Sequence, residues 1–121
     1  YPIRSIHESG GTIVGGSDWA VTTMNPLIAI ETAVTRKDPS DRVQGTLNED
    51  ERMELTEMLK AYTINAAHVM HQDHLTGSLE AGKYADFIVL EKNLFEIPLE
   101  EIGEVRVIET VLEGTTVFRI N

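Results

Sequence analysis

Cysteine is absent from all 121 residues. Disulfides and thiolate metal sites are therefore excluded, and the redox compartment is left open. Basic residues are scarce: Lys and Arg number 10 against 20 Asp and Glu, a formal net charge of -10. That balance argues against nucleic acid and anionic membrane as partners. No apolar run is long enough to span a bilayer. The first residues, Tyr1-Pro2-Ile3-Arg4-Ser5, have no initiator Met and no signal-peptide pattern. The expectation is a processed or excised piece of a cytoplasmic protein. No internal repeat or low-complexity tract is visible.

What remains is ordinary: 41% hydrophobic and 25% charged residues describe a soluble globular chain, one domain or a piece of one. The acids are spread along the sequence, with a modest cluster at Asn48-Glu49-Asp50-Glu51. Solubility accounts for them.

The stretch from Thr12 to Trp19 organises the reading. Pro2 to Glu8 fits the last turns of a helix, stopped by Gly10-Gly11 with a left-handed residue at one of them. Thr12-Ile13-Val14 then reads as a short buried strand from its β-branched content and flanking glycines. Gly15 and Gly16 leave room for another backbone or a ligand. The strand ends on Asp18 and Trp19. A strand that delivers one acid at its tip is a common active-site device on α/β scaffolds. Strand-end acids also often cap the next helix or hold loop amides. Trp19, Thr22, Thr23 and Met24 either line a pocket or pack the loop.

Asn25-Pro26 reads as an N-cap with proline at the first helical position. Leu27, Ile30 and Val34 give that helix one apolar face, and Thr35-Arg36-Lys37 closes it with positive charge. Helix, strand, loop, helix is a repeat unit of a parallel α/β protein. Residues 38–45 read as a polar loop. Asn48 with Glu51 is a possible cap of a short helical turn. Thr56 to about His71 is strongly helical, with Thr56 and Thr63 as candidate N-caps and a possible break at Thr63.

After Gly77 the character becomes β-rich. Phe87 to Leu90 is a strand, Pro98 to Ile102 one helical turn, and Val105 to Leu112 a second strand. Glu113-Gly114 is a hairpin turn returning as Thr115 to Ile120. His68, His71 and His74 invite a zinc reading. Solvated histidines at a helix end, favourable to its dipole when charged, account for them more simply. His7 is isolated. Asp86 suits a turn held through backbone amides, and Lys83 beside it is read as structural.

Gly16-Ser17-Asp18-Trp19, the block from Asn25 to Ile30, Ala33 to Arg36, Ala61 to Ala67, Gly77 to Leu90 and the Thr110 to Gly114 hairpin occur in an order that resembles the amidohydrolase superfamily. The nearest branch is the large metal-dependent hydrolases of amidohydrolase family 3. The resemblance covers essentially the whole chain. It implies the C-terminal fragment of a (β/α)8 TIM-barrel hydrolase: residues 1–76 as the last strand and helices of the barrel, and 77–121 as strands of a composite β-sandwich. The fold class expected is thus α/β plus β.

The resemblance further implies hydrolysis of non-peptide carbon–nitrogen bonds in a small amide or cyclic-amide substrate. Asp18 matches the acid that ligates the metal and shuttles a proton, and Trp19 is the substrate-binding candidate. A divalent metal, with zinc expected, belongs to the full-length parent, and no tight metal binding is expected of this fragment alone. Ala20 departs from the proline common in the family after this Trp. The fragment is expected to be inactive and to form a homo-oligomer through exposed apolar surface. The competing reading is a non-catalytic acidic α+β module for assembly or regulation.

Overall fold

The structure, a computed structural model, describes residues 1–40 and 42–120. Asp41, in the expected polar loop, lies outside them. Four short helices come first: α1 (Ile3–Glu8), α2 (Pro26–Thr35), α3 (Leu55–Ala61) and α4 (Ile64–Val69). Strands β1 (Phe87–Leu90), β2 (Val107–Leu112) and β3 (Thr115–Arg119) follow. Two 3-10 helices, Glu49–Glu51 and Leu99–Glu104, lie between.

The helix α2 starts where its residues dictate. The Leu27 amide donates to Asn25 Oδ1 at 3.0 Å, and Pro26 needs no partner for the amide hydrogen it lacks. Arg36 closes the helix in the left-handed region at φ 59°, its N–H bonded to Thr32 O. Leu27, Ile30, Ala33 and Val34 are buried. They meet the 3-10 helix Leu99–Glu104, whose Ile102 is fully buried. The Gly103 amide donates to Glu31 Oε2 at 2.7 Å, and that oxygen lies 2.9 Å from where a side chain at Gly103 would begin. Met53, Leu55, Met58, Ala61, Leu94 and Val105 complete the core, which draws on both sides of residue 76. Each large apolar side chain buried there contributes roughly 1.5–3 kcal/mol.

The expected helical stretch after Thr56 is two helices with the break at Tyr62-Thr63. Its caps differ from expectation. The N-cap of α3 is Glu54, so Thr56 lies inside the helix. Thr63 precedes α4 but makes no capping bond; its hydroxyl donates back to Leu59 O at 2.7 Å. Threonine hydroxyls readily choose this backward bond. The second helix ends at Val69, and His71 at φ 59° turns the chain. The Asn48–Glu51 cap is likewise not made. Asn48 makes no side-chain cap bond, and Glu51 instead accepts from the Ser5 amide at 3.1 Å and from the Ser5 hydroxyl.

The strands form one antiparallel sheet in the order β1-β2-β3. Glu113 and Gly114 turn the hairpin with φ of 48° and 77°, the paired positive values of a type I′ turn. Ile88 pairs with Thr110 and Thr110 with Phe118, so these three share a face with Leu112. Ile88 is 47%, Leu112 54% and Phe118 48% exposed, leaving that face apolar and uncovered. On the opposite face Val111 is buried. No helix among the described residues is long and apolar enough to cross a membrane.

Candidate functional site

From Gly11 to Asp18 burial alternates residue by residue: Gly11, Ile13, Gly15 and Ser17 are half-buried, and Thr12, Val14, Gly16 and Asp18 are exposed. That is the two-sided pattern of a strand. Yet Thr12-Ile13-Val14 is not a strand here, because no ladder partner stands beside it among the described residues. The inner side rests on the helices instead. The Gly15 amide donates to Ala61 O at 3.0 Å, and Asn65 Nδ2 donates to Ile13 O at 2.9 Å. Ile13 packs against the core. The Tyr62 ring lies over Gly15 so closely that a Cβ there would fall 2.2 Å from Tyr62 Cε2. Burial pushes the Tyr62 phenol up from its usual range.

Asp18 sits at φ 49°, and its carbonyl accepts the Val21 amide at 2.7 Å. The Thr22 hydroxyl donates to Ser17 O, and the Asn25 amide donates to Thr23 Oγ1 at 3.2 Å. The two threonines thus spend their hydroxyls on the loop itself. Trp19 is 65% exposed and Met24 is exposed too; the Trp19–Ala20 peptide is cis. The Asp18 carboxylate takes none of the local roles open to it. Asn25 caps α2, and among the described residues no donor bonds to the Asp18 side chain.

Three of the other candidates, His68, Asp86 and Lys83, make contacts that tie the chain together. His68 Nδ1 lies 3.0 Å from Asp73 Oδ2 at the end of α4, and it holds the Asp73 carboxyl below its usual value. His71 and His74 are exposed. Asp86 accepts from the Glu113 amide at 2.7 Å through Oδ1 and from Thr76 Oγ1 at 3.2 Å through Oδ2, which ties the hairpin turn to the link after α4. Lys83 Nζ donates to Ser78 Oγ at 2.7 Å. Among the described residues no three His, Cys, Asp or Glu side chains converge to hold a metal ion. A zinc centre usually needs three protein ligands. Asp18 offers one donor with both oxygens open.

Asn65 was not visible as a site residue from the sequence. Its signal was an amide embedded in the apolar run Ile64-Asn65-Ala66-Ala67, where a helix gains little from Asn.

A family model described as the amidohydrolase family matches residues 1–118. Protein LONG AFTER FAR-RED 3 of Arabidopsis thaliana is 38% identical over 96 residues, 79% of this chain and 16% of that protein. N-substituted formamide deformylase of Arthrobacter pascens is 32% identical over 114 residues, 94% of this chain and 20% of that protein. The crystal structure of an amidohydrolase from Thermotoga maritima MSB8 superposes with a TM-score of 0.72 at 21% identity, covering 98% of this chain and 26% of that one. The chain thus spans a sixth to a quarter of the length of these matches.

Proposed function

The chain belongs to the amidohydrolase family, and from that premise we propose that the full-length protein is a metal-dependent hydrolase of non-peptide carbon–nitrogen bonds. Residues 1–76 are its last barrel strand and helices, and 77–121 its contribution to a composite β-sandwich. Asp18 is the general acid/base and one ligand of the metal. Trp19 borders the substrate. One relative acts, by its name, on N-substituted formamides, and only the class, an amide, is carried over.

The observation that carries this reading is the freedom of Asp18. Asp18 is exposed in the turn that follows the strand-like segment, with no hydrogen bond to its carboxylate among the described residues. A carboxylate so placed can take a proton from the attacking water and return it to the leaving nitrogen. A divalent metal, when bound, lowers the pKa of its water toward neutrality. The remaining ligands lie outside the described residues, so the isolated chain is expected to be inactive.

The test is an Asp18→Asn variant of the full-length protein, assayed for amide hydrolysis. The expected loss in kcat is about 100- to 10,000-fold, with an unchanged thermal transition. A wild-type rate would end the assignment of Asp18, and no amide hydrolysis by the metal-supplied wild-type protein would favour the non-catalytic assembly module.

A further inference from the structure

We propose that Asn65 is a positioning residue for Asp18, acting through the backbone of residues 13–18. The inference rests on the catalytic reading of Asp18 given above. Between Gly11 and Ser17 the backbone has no strand partner among the described residues. Two polar contacts fix it instead, and both come from the α3–α4 junction. Asn65 Nδ2 reaches across 52 positions to Ile13 O at 2.9 Å, and Ala61 O receives the Gly15 amide at 3.0 Å. Ile13 and Gly15 are alternate residues of the inner side, so the two bonds hold that side at consecutive points. The Tyr62 ring over Gly15 excludes any shift that would bring a side chain there.

The break in the helix at Tyr62-Thr63 makes this possible. It separates the end of α3, which supplies Ala61 O, from the start of α4, which supplies Asn65. Asn65 is half-buried, and its amide satisfies a carbonyl that water reaches poorly. Three residues beyond Gly15 the chain reaches Asp18. Among the described residues the hydrogen bonds of residues 18–22 stay within the loop, with Val21 N–H to Asp18 O and Thr22 Oγ1 to Ser17 O. The position of the acid is therefore inherited from the clamp on residues 13 and 15. An acid/base displaced by about 1 Å costs on the order of 100-fold in rate.

The experiment uses the full-length protein with Asn65→Asp, which keeps the shape but loses the donor, and Asn65→Ala, which adds no charge. Each is made alone and with Asp18→Asn. Hydrogen exchange at the Gly15 amide is followed alongside kinetics. Expected are faster Gly15 exchange in both variants, a kcat lowered about 10- to 100-fold at unchanged KM, and no further loss when either is combined with Asp18→Asn. Gly15 exchange unchanged in both variants overturns the proposal. So does a loss that multiplies with that of Asp18→Asn, since it would mean that Asn65 acts by another route. Wild-type activity in Asp18→Asn alone defeats the catalytic reading, whereas wild-type kcat in the Asn65 variants beside an inactive Asp18→Asn defeats only the clamp.

Discussion

The ring of Tyr62 occupies the space that a side chain at Gly15 would need, with Cε2, Cζ and Cδ2 at 2.2, 2.4 and 2.5 Å from an ideal Cβ. Gly15 is thus required by the closeness of a neighbour. Gly15→Ala should cost about 1–3 kcal/mol through overpacking, read as a lower urea midpoint at unchanged slope. Combined with Tyr62→Ala, which empties the space, it should cost less than the two single changes added together. Strict additivity would show that the ring is not the obstacle.

Asp86 ties together two pieces of chain, beside the backbone bonds Gly114 N–H to Ala85 O at 3.1 Å and Tyr84 N–H to Leu75 O at 2.8 Å. Its two oxygens serve the Glu113 amide and the Thr76 hydroxyl. Asp86→Ala should destabilise by about 0.5–1.5 kcal/mol for each of the two bonds lost. Amide exchange at Glu113 should rise in the same variant. Asp86→Asn, which keeps an acceptor, should lose less.

Acid should loosen the fold in a defined window. Ser5 hydrogen bonds hold the Glu51 carboxyl below its usual value of 4.5, Arg106 does so for Glu91, and Arg119 with Thr116 does so for Glu109. The His68 bond holds Asp73 below its usual 3.8. Folded pKa values below the unfolded ones mean that the folded state sheds these protons more readily. The stabilisation is present above the unfolded values and is lost as pH falls through the folded ones. The urea midpoint should be nearly flat from about pH 7 to 5 and then decline through the carboxylate range. Added salt should shrink the effect, because these groups are only half-buried and within reach of counter-ions. A midpoint that does not change below pH 4.5 would contradict it.

The uncovered sheet face should make the isolated chain self-associate. Ile88, Leu112 and Phe118 share that face and are about half exposed, the kind of apolar patch that seeks cover. Light scattering of the 121-residue chain should report an oligomer, and Phe118→Lys should shift it toward monomer. A stable wild-type monomer would show that the patch is tolerated in water.

What could be read in advance follows the range of each interaction. The Asn25 cap, the break near Thr63, the Glu113-Gly114 hairpin and the Asp86 turn were all legible. Most rest on partners within a few residues, and Asp86 stands at the mouth of a strand. The misses lie at long range or in a choice between equals. Glu51 turned from a local cap to Ser5, 46 positions away, and Asn65 found Ile13. Thr63 had two available bonds and took the backward one. The segment from Thr12 carries strand periodicity but no ladder, because pairing is a property of neighbours that periodicity alone does not supply. Asp18 was legible as a candidate from its place at the end of that segment. Its freedom from local bonds was not, since the loop amides of Val21 and Asn25 could have turned to it and instead bond to Asp18 O and Thr23 Oγ1.

Trp19 is the sole indole among the 121 residues, and it stands largely exposed beside Asp18. The intrinsic fluorescence of this chain is therefore a single-point optical signal, emitted from the loop that matters most. Any ion, small amide or protein surface that settles on that loop alters the polarity around one fluorophore, with no other tryptophan to dilute the change. The chain carries its own label.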